Sequence, residues 1–188
     1  MKFKNKDDFR EYCKKKLKKN SKHAKLKKNC ITNEKLYRLI KTLKPENILF
    51  YLPLKHEIDV LRLLQRVRRE RRYNIFVPFM EGVSFKMVKY RLPLYKKRFD
   101  IREPKNSFSK GKKIDLAIVP VLGVDGAFRR IGFGKGMYDR FFESLSYRPY
   151  IAFVESEFCF TKSYLGETHD IQADIYITPY KIIKKREK

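Results

Sequence analysis

The most continuous apolar run of the chain covers residues 114–122, IDLAIVPVL. A strand that is covered on both faces shows no polar alternation, so this run predicts a central strand of a parallel sheet. Parallel neighbours must be joined by crossover connections, which are usually helices. The run therefore favours a fold in which strands and helices alternate along the chain.

Further short apolar segments extend this alternation. Residues 47–52, 74–79, 150–154 and 174–178 predict buried strands, and the alternating residues 83–90 predict a partly exposed strand. Residues 91–113 are rich in Pro and Lys and are predicted to be irregular. Because neither an internal repeat nor a linker is visible, the sequence predicts one α/β domain over residues 1–188, with a mainly parallel central sheet between helices.

Three amphipathic helices are predicted from apolar positions with helical spacing. The first carries a narrow stripe on a highly basic segment, the second is stopped by Pro45, and the third begins near Glu57. The three stripes are Phe9, Cys13 and Leu17; Leu36, Leu39, Ile40 and Leu43; and Val60, Leu63, Leu64 and Val67.

The composition agrees with a globular protein. With 43% hydrophobic residues, including 15 Phe and 12 Tyr, a chain of 188 residues can bury a core. No run approaches the roughly 20 apolar residues of a membrane helix, and the amino-terminal residues lack the apolar stretch of a signal peptide, so we expect a cytoplasmic protein. Cys13, Cys30 and Cys159 are odd in number and scattered, which predicts reduced thiols rather than a disulfide framework or a zinc site.

The formal net charge is +25, from 46 Lys and Arg against 21 Asp and Glu. Such a charge attracts polyanions in general, including nucleic acids, nucleotides and polycarboxylates. Basic residues continue far beyond the amino terminus and no nucleic-acid-binding motif is visible, so a solvated basic surface is the simpler interpretation. A basic nucleic-acid-binding protein stays open as the alternative, and a steep loss of binding with salt would identify it.

Residues 125–140, DGAFRRIGFGKGMYDR, carry the clearest chemical signal. Gly132, Gly134 and Gly136 alternate just before a predicted helix, so that backbone N–H groups can approach an anion closely. The helix amino terminus and the cations Arg130 and Lys135 would add positive charge. The pattern predicts a phosphate cradle, with a purely structural turn as the alternative. Its spacing matches neither a P-loop nor a dinucleotide-binding fingerprint.

The same segment resembles the glycine-loop motif of the 5-formyltetrahydrofolate cyclo-ligases, P-G-x-x-F-D-x-x-G-x-R-L-G-x-G-G/K-G-Y-Y-D-R. The matching residues are Pro120, Asp125, Arg130, Ile131, Gly132, Gly134, Lys135, Gly136, Tyr138, Asp139 and Arg140. Four further family segments occur in the right order: K-x-x-x-R, Y-x-P-x-x-x-E, an E-P pair and an H-D pair. They are Lys6 and Arg10; Tyr51, Pro53 and Glu57; Glu103 and Pro104; and His169 and Asp170.

This resemblance implies a NagB/RpiA/CoA transferase-like three-layer fold and an enzyme that closes 5-formyltetrahydrofolate to 5,10-methenyltetrahydrofolate. In the family, ATP as co-substrate phosphorylates the formyl oxygen, N10 attacks the resulting iminophosphate, and ADP and phosphate are released. Mg²⁺ is expected to bridge the phosphates. An enzyme of the same fold that uses ATP with another acceptor is a second alternative, and it would hydrolyse ATP without forming the methenyl product.

The resemblance also implies which residues form the site. Lys6, Arg10 and Arg130 would position and neutralise the phosphoryl group, and they are the predicted catalytic residues. The predicted ATP site comprises Lys6, Arg10, Arg130, Gly132, Phe133, Gly134, Lys135, Gly136, Met137 and Tyr138. The predicted folate site comprises Leu52, Glu57, Met137 and Tyr138.

Three carboxylates receive a role from the resemblance. Glu57 would accept hydrogen bonds from the pterin N3–H and 2-amino group. Asp139 and Asp170 are the predicted magnesium ligands. Judged by position alone, all three could equally be helix-end or capping carboxylates.

Three departures from the family pattern concern the predicted site. Phe128 stands where the family has a turn glycine, Met137 replaces the first of two paired tyrosines, and the glutamine expected near residues 155–158 is absent. Phe128 bears on the path of the loop, and Met137 bears on one aromatic wall of the folate pocket.

Overall fold

The computed structural model describes residues 2–18, 22–96, 102–104 and 112–185. Its helices are α1 (Lys6–Lys18), α2 (Lys22–Leu43), α3 (Leu61–Arg69) and α4 (Met137–Glu143). Its strands are β1 (Asn47–Leu49), β2 (Asn74–Glu81), β3 (Ser84–Lys89), β4 (Tyr95–Lys96), β5 (Arg102–Glu103), β6 (Leu116–Pro120), β7 (Gly123–Val124), β8 (Arg130–Ile131), β9 (Tyr150–Val154), β10 (Ile175–Ile177) and β11 (Ile182–Lys184).

Seven strands form one sheet in the order β11-β10-β9-β6-β1-β2-β3. The strands from β10 to β2 are parallel, and the two edge strands β11 and β3 are antiparallel to their neighbours. Every residue of β6 is buried at the middle of this sheet. The prediction of a mainly parallel sheet around residues 114–122 is therefore confirmed.

Helices cover both faces of the sheet. On one face, Leu36 and Ile40 of α2 and Leu64 of α3 lie in the same core cluster as strands β1 and β6. On the other face, Phe141 and Phe142 of α4 pack against the same strands. In the described part of the chain, no helix is both long enough and apolar enough to cross a bilayer.

Helix α1 packs over the loops that leave the carboxyl ends of the central strands. Phe9 and Cys13 form a small buried cluster with Leu122, Ile131 and Cys159. Leu122 follows β6, and Cys159 follows β9. The basic first helix is thus ordered, as its apolar stripe predicted, and it lies at the carboxyl edge of the sheet.

Helix α2 is longer than its apolar stripe predicted. Its amino-terminal half uses polar side chains to hold the loop before α3: Asn29 Oδ1 accepts from Asp59 N at 3.1 Å, and Asn33 Nδ2 donates to Asp59 O at 2.9 Å. A helix face that binds a loop through amides shows no apolar periodicity. The helix ends as predicted, with Lys44 at φ 48° just before Pro45.

The short strands were not predicted from the sequence. Strands β7 and β8 pair with each other, and β11 closes one edge of the main sheet. Strands β4 and β5 lie inside residues 91–113, which were predicted to be irregular. Residues 97–101 and 105–111 of that segment lie outside the described residues.

Candidate active site

Residues 130–137, here called the glycine turn, comprise β8, the connection that follows it and the first residue of α4. Gly134 and Gly136 have φ values of 102° and 59°, which side chains rarely allow. Arg140 holds the turn from outside, because its Nη2 donates to Lys135 O at 2.5 Å and its Nε donates to Val83 O at 3.0 Å. The turn is therefore a fixed structure rather than a loose connection.

Arg130 is the buried cation of the glycine turn. Its Nε donates to Pro120 O at 3.2 Å, its Nη1 lies 3.3 Å from Asp139 Oδ2, and its guanidinium carbon lies 4.9 Å from the centre of the Tyr138 ring. Gly132 makes room for this side chain, since a Cβ there would lie 2.4 Å from Nη1. Arg130 is thus preorganised at the carboxyl edge of the sheet, where open α/β folds bind ligands.

Helix α1 touches the glycine turn directly. Arg10 Nε donates to Gly132 O at 3.0 Å. One helical turn earlier, Lys6 Nζ lies 2.7 Å from Asp170 Oδ2 and 3.0 Å from Glu167 Oε1. Burial by itself would lower the pKa of Lys6, but these two carboxylates outweigh it and raise the pKa. The structure therefore brings Lys6, Arg10 and Arg130 to one end of the sheet.

Each of the two predicted metal ligands already has a cationic partner. Asp139 faces Arg130 through Oδ2 and accepts from Ile171 N through Oδ1 at 3.4 Å. Asp170 binds Lys6 and accepts from Glu167 N at 2.6 Å, both through Oδ2. Among the residues that the structure describes, no group of three or more His, Cys, Asp or Glu side chains could hold a metal. The donor set thus offers two ion-paired carboxylates and no preformed metal cage.

In the turn that precedes β8, a residue other than glycine adopts a left-handed backbone conformation. Phe128 has φ 60°, a conformation that costs a non-glycine residue about 1–2 kcal/mol. The buried carboxylate of Asp125 enforces it by accepting from Ala127 N and Arg129 N at 2.9 and 2.8 Å, and from two further N–H groups at 3.0 and 2.8 Å. Phe128 therefore adopts a left-handed conformation of the kind that favours glycine, and Asp125 fixes the turn around it.

Glu57 lies in the loop between β1 and α3. Its Oε2 accepts from Leu54 N at 2.8 Å. Burial raises the pKa of Glu57 to about 7, against the lowering effects of the Leu54 hydrogen bond and of the charges of Arg130 and Lys25. The carboxyl group of Glu57 is therefore close enough to Arg130 for the guanidinium charge to affect its pKa, and it titrates near neutral pH.

The other predicted folate residues lie around the same end of the sheet. Leu52 is buried in the core, and the Tyr138 ring stands edge-on to Phe85 at 5.0 Å. Burial, assisted by the charge of Glu57, raises the pKa of the Tyr138 hydroxyl, so it stays protonated. Met137 packs beside Tyr138 in the core cluster under α4, and its role as a pocket wall stays a prediction.

Two contacts at this site were not predicted. His56 and Phe133 bring their rings to 4.6 Å, edge to face, and so join the Glu57 loop to the glycine turn. Arg140 clamps the turn, although the sequence only marked it as a motif match. The spacing of residues in the sequence could not have predicted the contact between the two rings, because the contact joins segments that are far apart in the chain.

A cavity of about 640 Å³ lies elsewhere, beside the carboxyl end of α4 and the amino end of β9. Arg129, Arg148, His169 and Asp170 contribute to its wall. Asp170 is the one predicted site residue among its lining residues. The cavity therefore does not coincide with the glycine turn and the Glu57 loop.

Comparisons with known proteins point to one enzyme family. A model of the 5-formyltetrahydrofolate cyclo-ligase family matches residues 2–178. A curated 5-formyltetrahydrofolate cyclo-ligase from Mycoplasma genitalium is 24% identical over 148 residues, which make up 77% of this chain and 80% of that protein.

Two solved structures of 5,10-methenyltetrahydrofolate synthetases share the fold. The protein from Aquifex aeolicus superposes with a TM-score of 0.81 at 23% identity, covering 97% of this chain and 94% of that one. The protein from Mycoplasma pneumoniae superposes with a TM-score of 0.72 at 21% identity, covering 93% and 98%. With a family model that spans nearly its whole length, this chain belongs to the 5-formyltetrahydrofolate cyclo-ligase family of enzymes.

Proposed function

We propose that this protein uses ATP to close 5-formyltetrahydrofolate to 5,10-methenyltetrahydrofolate, with release of ADP and phosphate. The observation that carries the proposal is the contact between α1 and the glycine turn, Arg10 Nε to Gly132 O at 3.0 Å. Three cations of the family pattern, Lys6, Arg10 and Arg130, lie at one edge of the sheet, and the charge of Arg130 reaches Glu57. A triphosphate and a pterin could be bound there side by side.

The difficulty of the reaction is the formyl oxygen, which is a poor leaving group. Phosphorylation by ATP would convert the formamide to an iminophosphate, which N10 of the folate attacks before phosphate leaves. Phosphoryl transfer needs positioning and neutralisation of charge more than covalent help from the protein. The residues around the glycine turn supply mainly positive charge and positioning contacts. Electrostatic positioning is therefore the proposed source of the rate enhancement.

Each cation has a distinct part in this proposal. Arg130 is fixed by Pro120 O and Asp139, so it would present a preorganised charge to the transferring phosphoryl group. Lys6 and Arg10 are held by carboxylates and by Gly132 O. Incoming phosphate oxygens would replace some of these partners, which leaves the cations charged throughout.

Glu57 is proposed to hold the pterin. The N3–H and 2-amino group of a pterin form a paired donor edge, which an ionised carboxylate accepts well. With a pKa of about 7 in the free protein, Glu57 ionises close to neutral pH. Pterin binding should favour its ionised form and lower its pKa. Tyr138, whose ring lies over Arg130, would supply a flat aromatic contact to the pterin ring.

Magnesium stays a prediction for the nucleotide complex. A hard octahedral ion keeps several waters and takes one or two protein carboxylates with substrate phosphates. Asp139 has both oxygens engaged, by Arg130 and by Ile171 N, so it fits poorly as a direct ligand in this conformation. Both printed contacts of Asp170, with Lys6 Nζ and with Glu167 N, use Oδ2, so Asp170 is the better candidate, and no step of the mechanism depends on it.

The test is formation of the methenyl product, followed by its near-ultraviolet absorbance, from Mg-ATP and 5-formyltetrahydrofolate. Arg10→Ala and Arg130→Ala should each lose most of the rate, by about 100-fold or more. Lys15→Ala, which removes an exposed charge from the same helix, should keep the wild-type rate. Folded wild-type protein that hydrolyses ATP without forming product, or forms none at all, would refute the proposed function.

A further inference from the structure

Two cysteines that are scattered in the sequence meet beneath the basic helix. Cys13 belongs to α1 and Cys159 follows β9, and both are completely buried. Their side chains belong to the same small buried cluster, and each shifts the pKa of the other. They share one cluster with Ile131 of the glycine turn, so the pair lies directly under the helix that carries Lys6 and Arg10.

The surroundings give the two thiols different chemistry. The interaction with Cys159, together with burial, raises the pKa of Cys13. The interaction with Cys13, assisted by the charge of Lys16, lowers the pKa of Cys159. Lys16 is held close because its Nζ donates to Phe158 O at 3.1 Å. Cys159 is therefore the better nucleophile and Cys13 the thiol placed to follow it.

We propose that Cys13 and Cys159 form a reversible disulfide under hydroperoxides, which covalently ties α1 to the segment after β9. The Cys159 thiolate attacks one oxygen of hydrogen peroxide, breaks the O–O bond and becomes a sulfenic acid, and the released hydroxide takes up a proton to leave as water. The Cys13 sulfur then attacks the Cys159 sulfur, displaces its hydroxyl group as a second water and closes the disulfide. Two thiols and one peroxide thus give one disulfide and two waters.

Access for the oxidant comes from the way α1 is anchored. Only two residues of this 13-residue helix, Phe9 and Cys13, are fully buried. A short helix with few buried contacts opens locally at a lower free energy than the central strands. When α1 opens, Cys159 becomes accessible to the oxidant. When α1 closes again, Cys13 comes back next to Cys159.

The disulfide should act on the nucleotide site. A sulfur–sulfur bond of about 2 Å is shorter than any non-bonded contact between two sulfur atoms, so oxidation pulls α1 towards Cys159. Lys6 and Arg10 move with the helix, and small displacements of phosphate-binding groups are costly. We expect the apparent KM for ATP to rise about threefold or more in the oxidised protein. This consequence rests on the proposed function, whereas disulfide formation does not.

The experiment treats the full chain with hydrogen peroxide, blocks the remaining thiols, digests without reductant and searches for the peptide that links Cys13 to Cys159. Wild type and Cys30→Ser should both give this peptide, and dithiothreitol should remove it and restore the original KM for ATP. Cys30 is the matched control because its thiol is exposed. Cys13→Ser and Cys159→Ser should give no internal link.

Three results would overturn the proposal: cross-links that involve only Cys30, a Cys159 that oxidises to the sulfinic acid without the linked peptide, or a link that forms only in denaturant. If either serine variant fails to fold, the peptide map of wild type and Cys30→Ser decides alone. The peptide map needs no substrate. Its result on the disulfide is therefore independent of whether the protein forms the methenyl product.

Discussion

Replacing Glu57 with Gln should stabilise the free protein while it weakens folate binding. The folded protein holds the Glu57 proton up to about pH 7, whereas the unfolded chain releases it near the ordinary value of 4.5. The folded state therefore binds more protons in this window, and the stability of wild type falls as pH rises from 4.5 through 7. Above pH 7 the cost of the ionised Glu57 is present in full.

The size of this effect follows from the two pKa values. The gap between 4.5 and about 7 corresponds to about 3 kcal/mol, at about 1.4 kcal/mol per pH unit. Because Glu57 is only partly buried, solvent screening reduces the expected effect to about 1–2 kcal/mol. Glutamine keeps an oxygen that can accept from Leu54 N, so the loop should hold its shape.

Urea unfolding at pH 5 and pH 8 measures the effect. The free energy of unfolding of Glu57→Gln should exceed that of wild type by about 1–2 kcal/mol at pH 8 and by much less at pH 5. Glu11→Gln, an exposed glutamate paired with Lys14, is the control and should show no such difference. In the same preparation, the apparent KM for 5-formyltetrahydrofolate should rise at least about tenfold. Equal pH dependence in wild type and variant would refute the buried-carboxylate reasoning, and an unchanged KM would refute the pterin role.

Three further substitutions test the site and its frame. Asp139→Asn leaves Arg130 buried without its counter-ion and should lower the free energy of unfolding by about 3 kcal/mol in urea titrations; a loss below 1 kcal/mol would show that the ion pair is unimportant. Asp125→Ala removes the acceptor of four backbone N–H groups and should cost roughly 3 kcal/mol or more in the same titration, with a fully stable variant as the contrary result. Lys6→Gln should raise the apparent KM for ATP about tenfold, measured as methenyl product formation against ATP concentration, with a circular dichroism spectrum like that of wild type; an unchanged KM would remove Lys6 from the nucleotide site.

The central strands of the sheet were predicted from the sequence more accurately than the short strands. Continuous apolar runs such as residues 114–122 identify buried strands because both faces of such a strand must be apolar. The strands β7, β8 and β11 have only two or three residues each, too few for any periodicity to appear. The first half of α2 was missed for a different reason, since its contacts to the loop before α3 are made by the amides of Asn29 and Asn33.

The site was predicted as a set of residues but not as a network. The motif matches named Arg10 and Gly132, and the fold shows that they touch. The same matches suggested Asp139 and Asp170 as magnesium ligands, while the fold shows each of them paired with a cation, Arg130 and Lys6. Such pairings depend on which loops meet at the carboxyl edge of the sheet, and a linear spacing does not encode that.

The central claim is that α1 and the glycine turn grip the triphosphate together. Amide hydrogen exchange with and without a non-hydrolysable ATP analogue and magnesium tests it most directly. We predict that the analogue slows exchange in peptides of residues 6–18 and 130–138 over the same concentration range, and that Arg10→Ala weakens both effects. Protection of only one of these segments, or protection confined to the cavity beside β9, would contradict the account.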